Sequence, residues 1–253
     1  MTWDTKWGPL MGEVDEAVEK QLEKQLPKPY YQHAGITIYH GDCREILPCL
    51  ELPHLEYCGL MLTDPPYGVN GQQNSKTAGT PRKNDYAGFV DSPGYVASVV
   101  IPAFTIALKI CPRAIVTPGN RCLTMYPPPS SFGCFYQPAS VGLQPWGRAD
   151  AQPILYYGPF PRDTREIPGN KCSYVLTESP QVNGHPYPKP YHAWLQLLRV
   201  GSLESDTVLD PFMGSGTTLE AAKNLGREAI GIEIEEKYCE IAAKRLSQEV
   251  LPF

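Results

Sequence analysis

The sequence predicts an α/β fold with a mostly parallel sheet covered by helices. Apolar runs of strand length alternate along the chain with amphipathic segments of helix length. This alternation is typical of parallel strands joined by helical crossovers. In addition, the run "YCGLMLT" (57–63) is continuously apolar. Such a run is expected for a strand that is covered on both faces of its sheet.

The first elements can be read in chain order. Residues 13–26, "EVDEAVEKQLEKQL", carry an apolar residue every four positions among charges, which predicts an amphipathic helix ended by Pro27. The stretch "ITIYHGD" (36–42) alternates like a strand, and "REILPCLEL" predicts a short helix after it. Asp42 or Cys43 stands where the N-cap of that helix would be.

After the apolar strand, residues 71–93 are polar and rich in glycine, which predicts a loop. The later elements are predicted as helix 94–110, strand 114–118, strand 153–158, helix 190–200, strand 207–210, helix 217–226, strand 229–234 and helix 236–248. We therefore expect an extension over 1–31 and one domain over 32–253. Within it, segment 120–184 is dense in proline, glycine and aromatic residues and is expected to be rich in loops.

The charge of the chain is unevenly distributed. The net charge is -5, which on its own argues against a nucleic-acid partner. Residues 68–200, however, contain 12 Lys and Arg against 6 Asp and Glu. This imbalance fits a one-sided surface for a polyanion, or else chance clustering of charges in solvated loops.

The cysteines and the apolar segments restrict the class of protein. None of the eight cysteines forms a CxxC pair, so we expect reduced thiols and no metal site. The N-terminus has no apolar signal-peptide core. The uncharged apolar stretch Tyr95 to Leu108 contains Pro102 and falls short of the ~20 apolar residues of a membrane span. A cytoplasmic protein without a membrane partner is expected.

A glycine turn follows the strand at 207–210. The sequence "TVLDPFMGSGTTLEAA" places Gly214 and Gly216 between this strand and a helix, where they allow close approach of the backbone to a ligand. The next strand ends at Glu233, where a carboxylate typically accepts from ribose hydroxyls. Leu219 occupies the third glycine position of a dinucleotide fingerprint. The alternative is a tight turn whose glycines serve packing alone.

The stretch "LMLTDPPYGVN" (60–70) ends a strand with a carboxylate, two prolines and an aromatic ring. Because Pro65 and Pro66 donate no backbone hydrogen bond, the strand cannot continue through them as an interior ladder. Asp64 and Tyr67 would then stand at the carboxyl edge of the sheet. By itself this tetrapeptide is also ordinary turn chemistry.

Taken together, these motifs resemble those of the amino-methylating DNA methyltransferases. "DPFMGSGTT" is similar to their S-adenosylmethionine-binding motif, "GIEIEEKY" to the ribose-binding motif that follows it, and "TDPPY" to the catalytic motif. "HGDCREIL" resembles the acidic motif, and "HPYPKP" (185–190) resembles a Lys-Pro motif with Tyr187 and Pro188 as departures. The order of motifs is that of the permuted β group. The resemblance covers roughly residues 35–248 and implies a Rossmann-like methyltransferase fold with a mostly parallel, seven-stranded sheet.

The resemblance also implies roles for individual residues. The catalytic residues would be Asp64, Pro65, Pro66 and Tyr67. The cofactor, S-adenosyl-L-methionine, would be bound by Asp42, Cys43, Lys189, Asp210, Phe212, Gly214, Ser215, Gly216, Thr217 and Glu233. His185 could join Lys189, although both could equally be solvated groups at a helix start. DNA phosphates would be contacted by Lys76, Arg82, Lys83, Arg121 and Arg148, each of which could also be plain surface.

The function that the resemblance implies is methyl transfer to the N6 amino group of an adenine flipped out of double-stranded DNA. Methyl transfer to cytosine N4 is an alternative, because both bases present the same N–C=N group. A non-catalytic DNA-binding relative is a second alternative. The resemblance further suggests a bacterial or phage source. It leaves open whether the protein is a monomer or a homodimer and whether a cognate restriction enzyme is its partner. Target recognition would belong to segment 120–184.

Overall fold

The structure is a computed structural model that describes residues 26–50, 58–69, 91–136, 142–144, 147–161, 171–176 and 190–247. The helix predicted over 13–26 lies outside these residues except for Leu26. The loop predicted over 71–93 lies outside them except for its last three residues.

The described strands form a nine-stranded sheet and a separate two-stranded one. The strands are β1 (Tyr31–His33), β2 (Ile36–His40), β3 (Cys58–Thr63), β4 (Ala114–Val116), β5 (Ser131–Tyr136), β6 (Gly142–Gln144), β7 (Gly147–Ala149), β8 (Ala151–Tyr157), β9 (Tyr174–Val175), β10 (Thr207–Asp210) and β11 (Ala229–Glu233). The order in the large sheet is β1-β2-β11-β10-β3-β4-β8-β5-β9, and β6 pairs with β7 in the small one.

The centre of the large sheet is parallel, as predicted. β2, β11, β10, β3 and β4 run parallel to one another. Antiparallel pairs join β1 to β2, β4 to β8 and β8 to β5, and β9 is parallel to β5. The expected number of seven strands is wrong. β1 has three residues and β9 has two, so both are too short to show an alternating pattern in the sequence.

Within the described part of the chain, five helices longer than one turn cover the sheet. They are α1 (Cys43–Leu50), α2 (Pro93–Ile110), α3 (Tyr191–Gly201), α4 (Thr217–Asn224) and α5 (Glu236–Leu246). Each helix and strand that the sequence predicted within the described residues is present, with ends that differ by at most two residues. The strands that the sequence did not predict are β1, β5, β6, β7 and β9.

The helices form a layer on each face of the sheet. On one face, α1 and α2 pack with Met61 and Leu209. On the other face, α3, α4 and α5 pack with Leu60 and Leu62. All six residues of β3 are buried. This explains the continuous apolar run, because consecutive side chains of β3 enter opposite cores.

The apolar segment around Pro102 is a helix of the core. Within the described part of the chain, α2 is long and apolar enough to cross a membrane by length and composition alone. Its residues Val96, Val100 and Phe104 are buried in the cluster shared with α1 and β3. Pro102 does not interrupt the helix. A π-helical turn over Val96–Val100 precedes it, and Pro102 lies in the first turn of the following α-helical part, where a proline is tolerated.

The expectation that all cysteines are reduced thiols is wrong for two of them. Cys58 and Cys111 form a disulfide whose Cα atoms are 5.1 Å apart. Cys58 begins β3, and Cys111 follows α2. Their sequence separation of 53 residues concealed a proximity that only the fold creates. Among the described residues, no group of three or more His, Cys, Asp or Glu could hold a metal ion.

Candidate active site

A cavity of about 210 Å³ opens at the carboxyl edge of the parallel strands. Asp42 follows β2, Asp64 follows β3, Phe212 follows β10 and Glu233 ends β11, and all four line the cavity. Because these strands are neighbours and parallel, their carboxyl ends meet at one edge of the sheet. Ligands bind at this edge in doubly wound folds.

The cavity brings together most of the residues that the sequence predicted. It is lined by Asp64, Pro65, Pro66 and Tyr67, and by Asp42, Cys43, Asp210, Phe212, Gly214, Ser215, Thr217 and Glu233. Gly216 is buried and does not line it. Lys76, Arg82, Lys83, His185, Lys189 and the side chain of Arg148 lie outside the described residues. Arg121 is exposed in the segment that follows β4.

Glu233 is held by the glycine turn. Its Oε2 accepts from the Gly214 N–H at 3.0 Å, and its Oε1 accepts from the Glu235 N–H at 2.8 Å. Burial raises the pKa of Glu233 to about 7, while these two N–H groups act in the opposite direction. The carboxylate is thus fixed in orientation and close to its titration point at neutral pH.

Gly216 has a packing role. Its φ of 79° is left-handed, and a Cβ atom added there would lie 2.9 Å from the Cβ of Ala242 on α5. Next to it, Thr217 accepts from Arg245 Nη1 at 3.3 Å, and Arg245 also pairs with Glu220. The packing alternative therefore accounts for Gly216, whereas Gly214 contacts the carboxylate in the cavity.

Asp210 joins the two motifs. Its Oδ1 accepts from the Thr63 hydroxyl at 2.7 Å and from the Phe212 N–H at 3.1 Å. Burial raises the pKa of Asp210 to about 6, and the hydrogen bonds from Thr218, Thr63 and the Phe212 N–H oppose this. Since Thr63 immediately precedes Asp64, this bridge fixes the glycine turn relative to the turn after β3.

Asp42 caps α1. Its Oδ1 accepts from the Arg44 N–H at 2.8 Å, and its Oδ2 accepts from Arg44 Nη2 at 2.6 Å. The hydrogen bonds from the Arg44 side chain are the main reason why the pKa of Asp42 is lowered. The predicted N-cap interaction is therefore present. The neighbouring Cys43 is buried, and burial raises the pKa of its thiol to about 12, so it is uncharged.

The turn after β3 is held by side chains from two other strands. Asp64 Oδ1 accepts from the hydroxyls of Tyr67 and Thr117. The Tyr67 hydroxyl in turn accepts from Gln152 Nε2. Thr117 follows β4 and Gln152 lies in β8. Burial raises the pKa of Tyr67 well above its ordinary value, so its ring is a neutral phenol.

Asp91 holds the residues that follow Tyr67. Its Oδ1 accepts from the Gly68 N–H at 2.6 Å, and its Oδ2 accepts from the Val69 N–H at 3.4 Å. Burial raises the pKa of Asp91, against the effect of these two hydrogen bonds. The next residue, Ser92, caps α2 by accepting from the Tyr95 N–H at 3.1 Å. The turn is thereby attached to the beginning of α2.

The cavity is anionic. Its lining contains the carboxyl groups of Asp42, Asp64, Asp91, Asp210 and Glu233. Among the described residues that line it, none is Lys or Arg. Apolar surface beside these groups comes from Phe212 and Ile234. A ligand that carries positive charge and a flat ring would match this combination.

The sequence did not predict three residues that shape this site. Thr117 lies near the end of the strand predicted over 114–118, and this was an available signal that it lies at the same edge as Asp64. Asp91 precedes Ser92 and α2, so it could be read only as part of a helix start. Gln152 carries no local signal, because only the pairing of β8 with β4 brings it to this edge.

The chain is similar to known DNA methyltransferases. The family model N6_N4_Mtase, described as DNA methylase, matches residues 146–244. That range includes the glycine turn and Glu233 and leaves out the turn after β3. The chain is 25% identical to the type II methyltransferase M2.LlaDCHI of Lactococcus lactis subsp. cremoris, over 88% of this chain and 93% of the relative. It is 24% identical to the type II methyltransferase M2.DpnII of Streptococcus pneumoniae, over 88% and 94%.

Two solved structures share the fold. The M1.HpyAVI-SAM complex has a TM-score of 0.61 with 22% identity, and the match covers 84% of this chain and all of that chain. The PvuII DNA methyltransferase, described as cytosine-N4-specific, has a TM-score of 0.64 with 16% identity, covering 90% of this chain and 92% of that one. At such identities the likeness shows the fold, which is the Rossmann-like fold that the sequence predicts.

Proposed function

We propose that this chain is a member of the N6/N4 DNA amino-methyltransferase family and moves a methyl group from S-adenosyl-L-methionine to the N6 amino group of adenine in double-stranded DNA. The observation that carries this proposal is the shared cavity. It places the Asp64-Pro65-Pro66-Tyr67 turn beside the glycine turn and Glu233. A methyl donor and a methyl acceptor could therefore meet in it.

The residues of the glycine-turn side fit the cofactor. S-adenosyl-L-methionine supplies a methyl group on a positively charged sulfur atom, and the carboxyl groups of Asp42, Asp210 and Glu233 on this side of the cavity complement that charge. The Glu233 carboxylate would accept from the ribose hydroxyls, and Gly214 allows close approach of the backbone. Phe212 and Ile234 offer apolar surface to the adenine ring. Asp42 would accept from the adenine amino group beside its bonds to Arg44. Lys189 is proposed as a partner for the cofactor carboxylate.

The turn after β3 fits an exocyclic amino group. The lone pair of such a nitrogen is delocalised into the base, which makes it a poor nucleophile. The Asp64 carboxylate would accept one amino hydrogen, and the Pro65 carbonyl would accept the other. These acceptors favour a pyramidal nitrogen and stabilise the positive charge that develops on it. Because the ring of Pro65 fixes its φ and the following Pro66 restricts its ψ, the direction of the Pro65 carbonyl is set before the base binds.

Access to the amino group requires the base to leave the duplex. We propose that Tyr67 stacks on the flipped adenine. Arg121 is exposed, and together with Lys76, Arg82, Lys83 and Arg148 it is proposed to contact phosphates. Segment 120–184 is proposed to read the target sequence. It contains the hairpin of β6 and β7.

Several features of the biological setting follow from the same proposal. The motif order suggests the permuted β group, with the extension 1–31 outside the catalytic domain 32–253. The curated relatives are bacterial type II methyltransferases. A cognate restriction enzyme is therefore the proposed functional partner. The protein itself is proposed to act in the cytoplasm of a bacterium and to be encoded by the bacterium or by a phage. A monomer or a homodimer would suffice for the chemistry, because both motifs line one cavity of one chain.

Cytosine N4 is the alternative acceptor. Adenine and cytosine present the same N–C=N group, and the structure of PvuII DNA methyltransferase shares the fold of this chain. The aspartate at position 64 favours adenine, since the motif resembles "DPPY" with its aspartate rather than a serine-containing variant. The choice between the two bases can be measured directly.

The test is transfer of isotopically labelled methyl groups from S-adenosyl-L-methionine to unmethylated DNA, followed by identification of the nucleoside by mass spectrometry. N6-methyladenine is the expected product. Absence of label in DNA, with cofactor binding intact, would support a non-catalytic DNA-binding relative instead. Label in N4-methylcytosine would contradict only the choice of base.

A further inference from the structure

Three residues outside the recognised motifs contact the turn after β3. Thr117 and Gly119 follow β4, and Gln152 lies near the start of β8. β4 and β8 are antiparallel neighbours, with Val116 opposite Leu155. Thr117 is fully buried and Gln152 is half-buried. We call these three residues the β4–β8 clamp.

The hydrogen bonds of the clamp have a defined direction. The Gln152 side chain donates through Nε2 to the Tyr67 hydroxyl. The Tyr67 hydroxyl then donates its only hydrogen to Asp64 Oδ1, which also accepts from the Thr117 hydroxyl. Two donors on Oδ1 fix the rotation of the Asp64 carboxylate about its Cβ–Cγ bond.

Gly119 sets the position of the Tyr67 ring. Its φ is +66°, which favours glycine. A Cβ atom added there would lie 2.7 Å from Tyr67 Cγ and 2.9 Å from Cδ1. The aromatic ring therefore packs against the Gly119 backbone. Its position is determined at one end by this contact and at the hydroxyl end by Gln152.

We propose that the β4–β8 clamp positions Asp64 and Tyr67 for the acceptor base, an inference that rests on the proposed methyl transfer. Thr117, Gly119 and Gln152 are positioning residues, because each acts through Asp64 or Tyr67. The clamp is carried by two paired strands and the turn that follows one of them. A site whose side chains are positioned by paired strands keeps its geometry better than a site positioned by loops alone. Loss of the clamp should slow methyl transfer without weakening the binding of S-adenosyl-L-methionine.

The first test removes one hydroxyl. Thr117→Val keeps the volume of the side chain and removes its donor to Asp64. We expect kcat to fall about 10- to 100-fold, the size of a lost hydrogen bond to a charged group. The dissociation constant of S-adenosyl-L-methionine should stay within about twofold. Thr117→Ser should restore kcat. Thr105→Val is the matched control, since Thr105 lies on α2 and its hydroxyl donates to the Ile101 carbonyl.

The second test changes the side chain that donates to the Tyr67 hydroxyl. Gln152→Leu removes the donor to Tyr67, whereas Gln152→Glu introduces a carboxylate that competes with Asp64 for the Tyr67 hydrogen. With saturating cofactor, kcat at neutral pH should fall further in Gln152→Glu than in Gln152→Leu. Lower pH should partly restore Gln152→Glu, because a protonated glutamic acid can donate again. Gln196→Leu, at an exposed position of α3, is the matched control.

Crystal structures of the wild type and Thr117→Val supply a readout that does not need transfer. The clamp predicts a rotated Asp64 carboxylate in the variant and the original orientation in Thr117→Ser. Unchanged Asp64 and Tyr67 side chains, or an unchanged kcat in both Thr117→Val and Gln152→Leu, would overturn the clamp and leave the proposed function standing. A wild type that methylates no DNA would instead refute the proposed function, and the crystallographic comparison would still decide the clamp.

Discussion

The two sides of the cavity are held together in different ways. On the glycine-turn side, Glu233 accepts from backbone N–H groups of Gly214 and Glu235, which are 19 and 2 residues away in sequence. On the side of the β3 turn, the bonds from Thr117 to Asp64 and from Gln152 to Tyr67 join side chains 53 and 85 residues apart. The first side is thus built from one strand-turn-helix-strand unit, and the second from three strands.

This difference suggests a division of labour. Backbone donors around a nearly buried carboxylate give a fixed acceptor for a ligand that every turnover requires. Side-chain contacts between strands allow finer adjustment of a carboxylate and an aromatic ring. We therefore expect variants of the glycine-turn side to change cofactor affinity and variants of the β3-turn side to change kcat.

The largest expected effect is on the β3-turn side. Asp64→Ala removes the proposed acceptor for an amino hydrogen, so methyl transfer should fall by at least about 10³-fold. The rate of label transfer to unmethylated DNA measures this loss. Asp150→Ala, at an exposed position, is the control and should transfer label like the wild type. Transfer within tenfold of wild type would show that Asp64 does not contact the reacting nitrogen.

Glu233→Ala tests the opposite side. Loss of charged hydrogen bonds to the ribose should weaken cofactor binding about 10- to 100-fold, while Glu204→Ala, at an exposed position, should not change it. In the wild type, affinity should decline as pH falls below about 7, because burial raises the pKa of Glu233 to about 7 and protonation removes the charged acceptor. Isothermal titration at several pH values measures both effects. A pH-independent affinity would contradict this role.

Asp91 gives a smaller effect on the β3-turn side. Asp91→Ala removes the acceptor of the Gly68 and Val69 N–H groups, so the turn loses its attachment to α2. We expect kcat to fall roughly tenfold with little change in cofactor affinity. Asp91→Asn keeps one acceptor oxygen, so its kcat should lie between those of Asp91→Ala and the wild type. Single-turnover rates distinguish them, and equal rates for all three proteins would exclude a positioning role.

The smallest effect is on stability without ligand. Burial raises the pKa of Glu233 to about 7 and of Asp210 to about 6, so the folded chain holds protons that the unfolded chain releases. Their contribution to the free energy of unfolding therefore declines as pH rises from about 4 to 7. Glu233→Ala should reduce this decline. The difference in thermal midpoint between pH 5 and pH 7 should therefore be smaller in the variant than in the wild type by a few degrees. A difference in thermal midpoint between Glu233→Ala and the wild type that is the same at pH 5 and at pH 7 would contradict a raised pKa of Glu233.

The same contrast explains what the sequence could predict. Gly214, Asp210 and Glu233 belong to one local unit whose spacing follows from a strand, a turn and a helix. Asp64 and Tyr67 stand where a buried strand must end at two prolines. By contrast, Gln152, the Cys58–Cys111 disulfide and strand β9 depend on which strands become neighbours. That order is a property of the whole chain, and local periodicity does not encode it.

The division of labour is tested most directly by the cofactor affinity of Asp64→Ala. Isothermal titration of S-adenosyl-L-methionine into this variant and the wild type gives the two dissociation constants. They should agree within about twofold, even though methyl transfer by the variant is lost. A loss of affinity greater than about tenfold would contradict the account, because Asp64 would then belong to the cofactor side of the cavity.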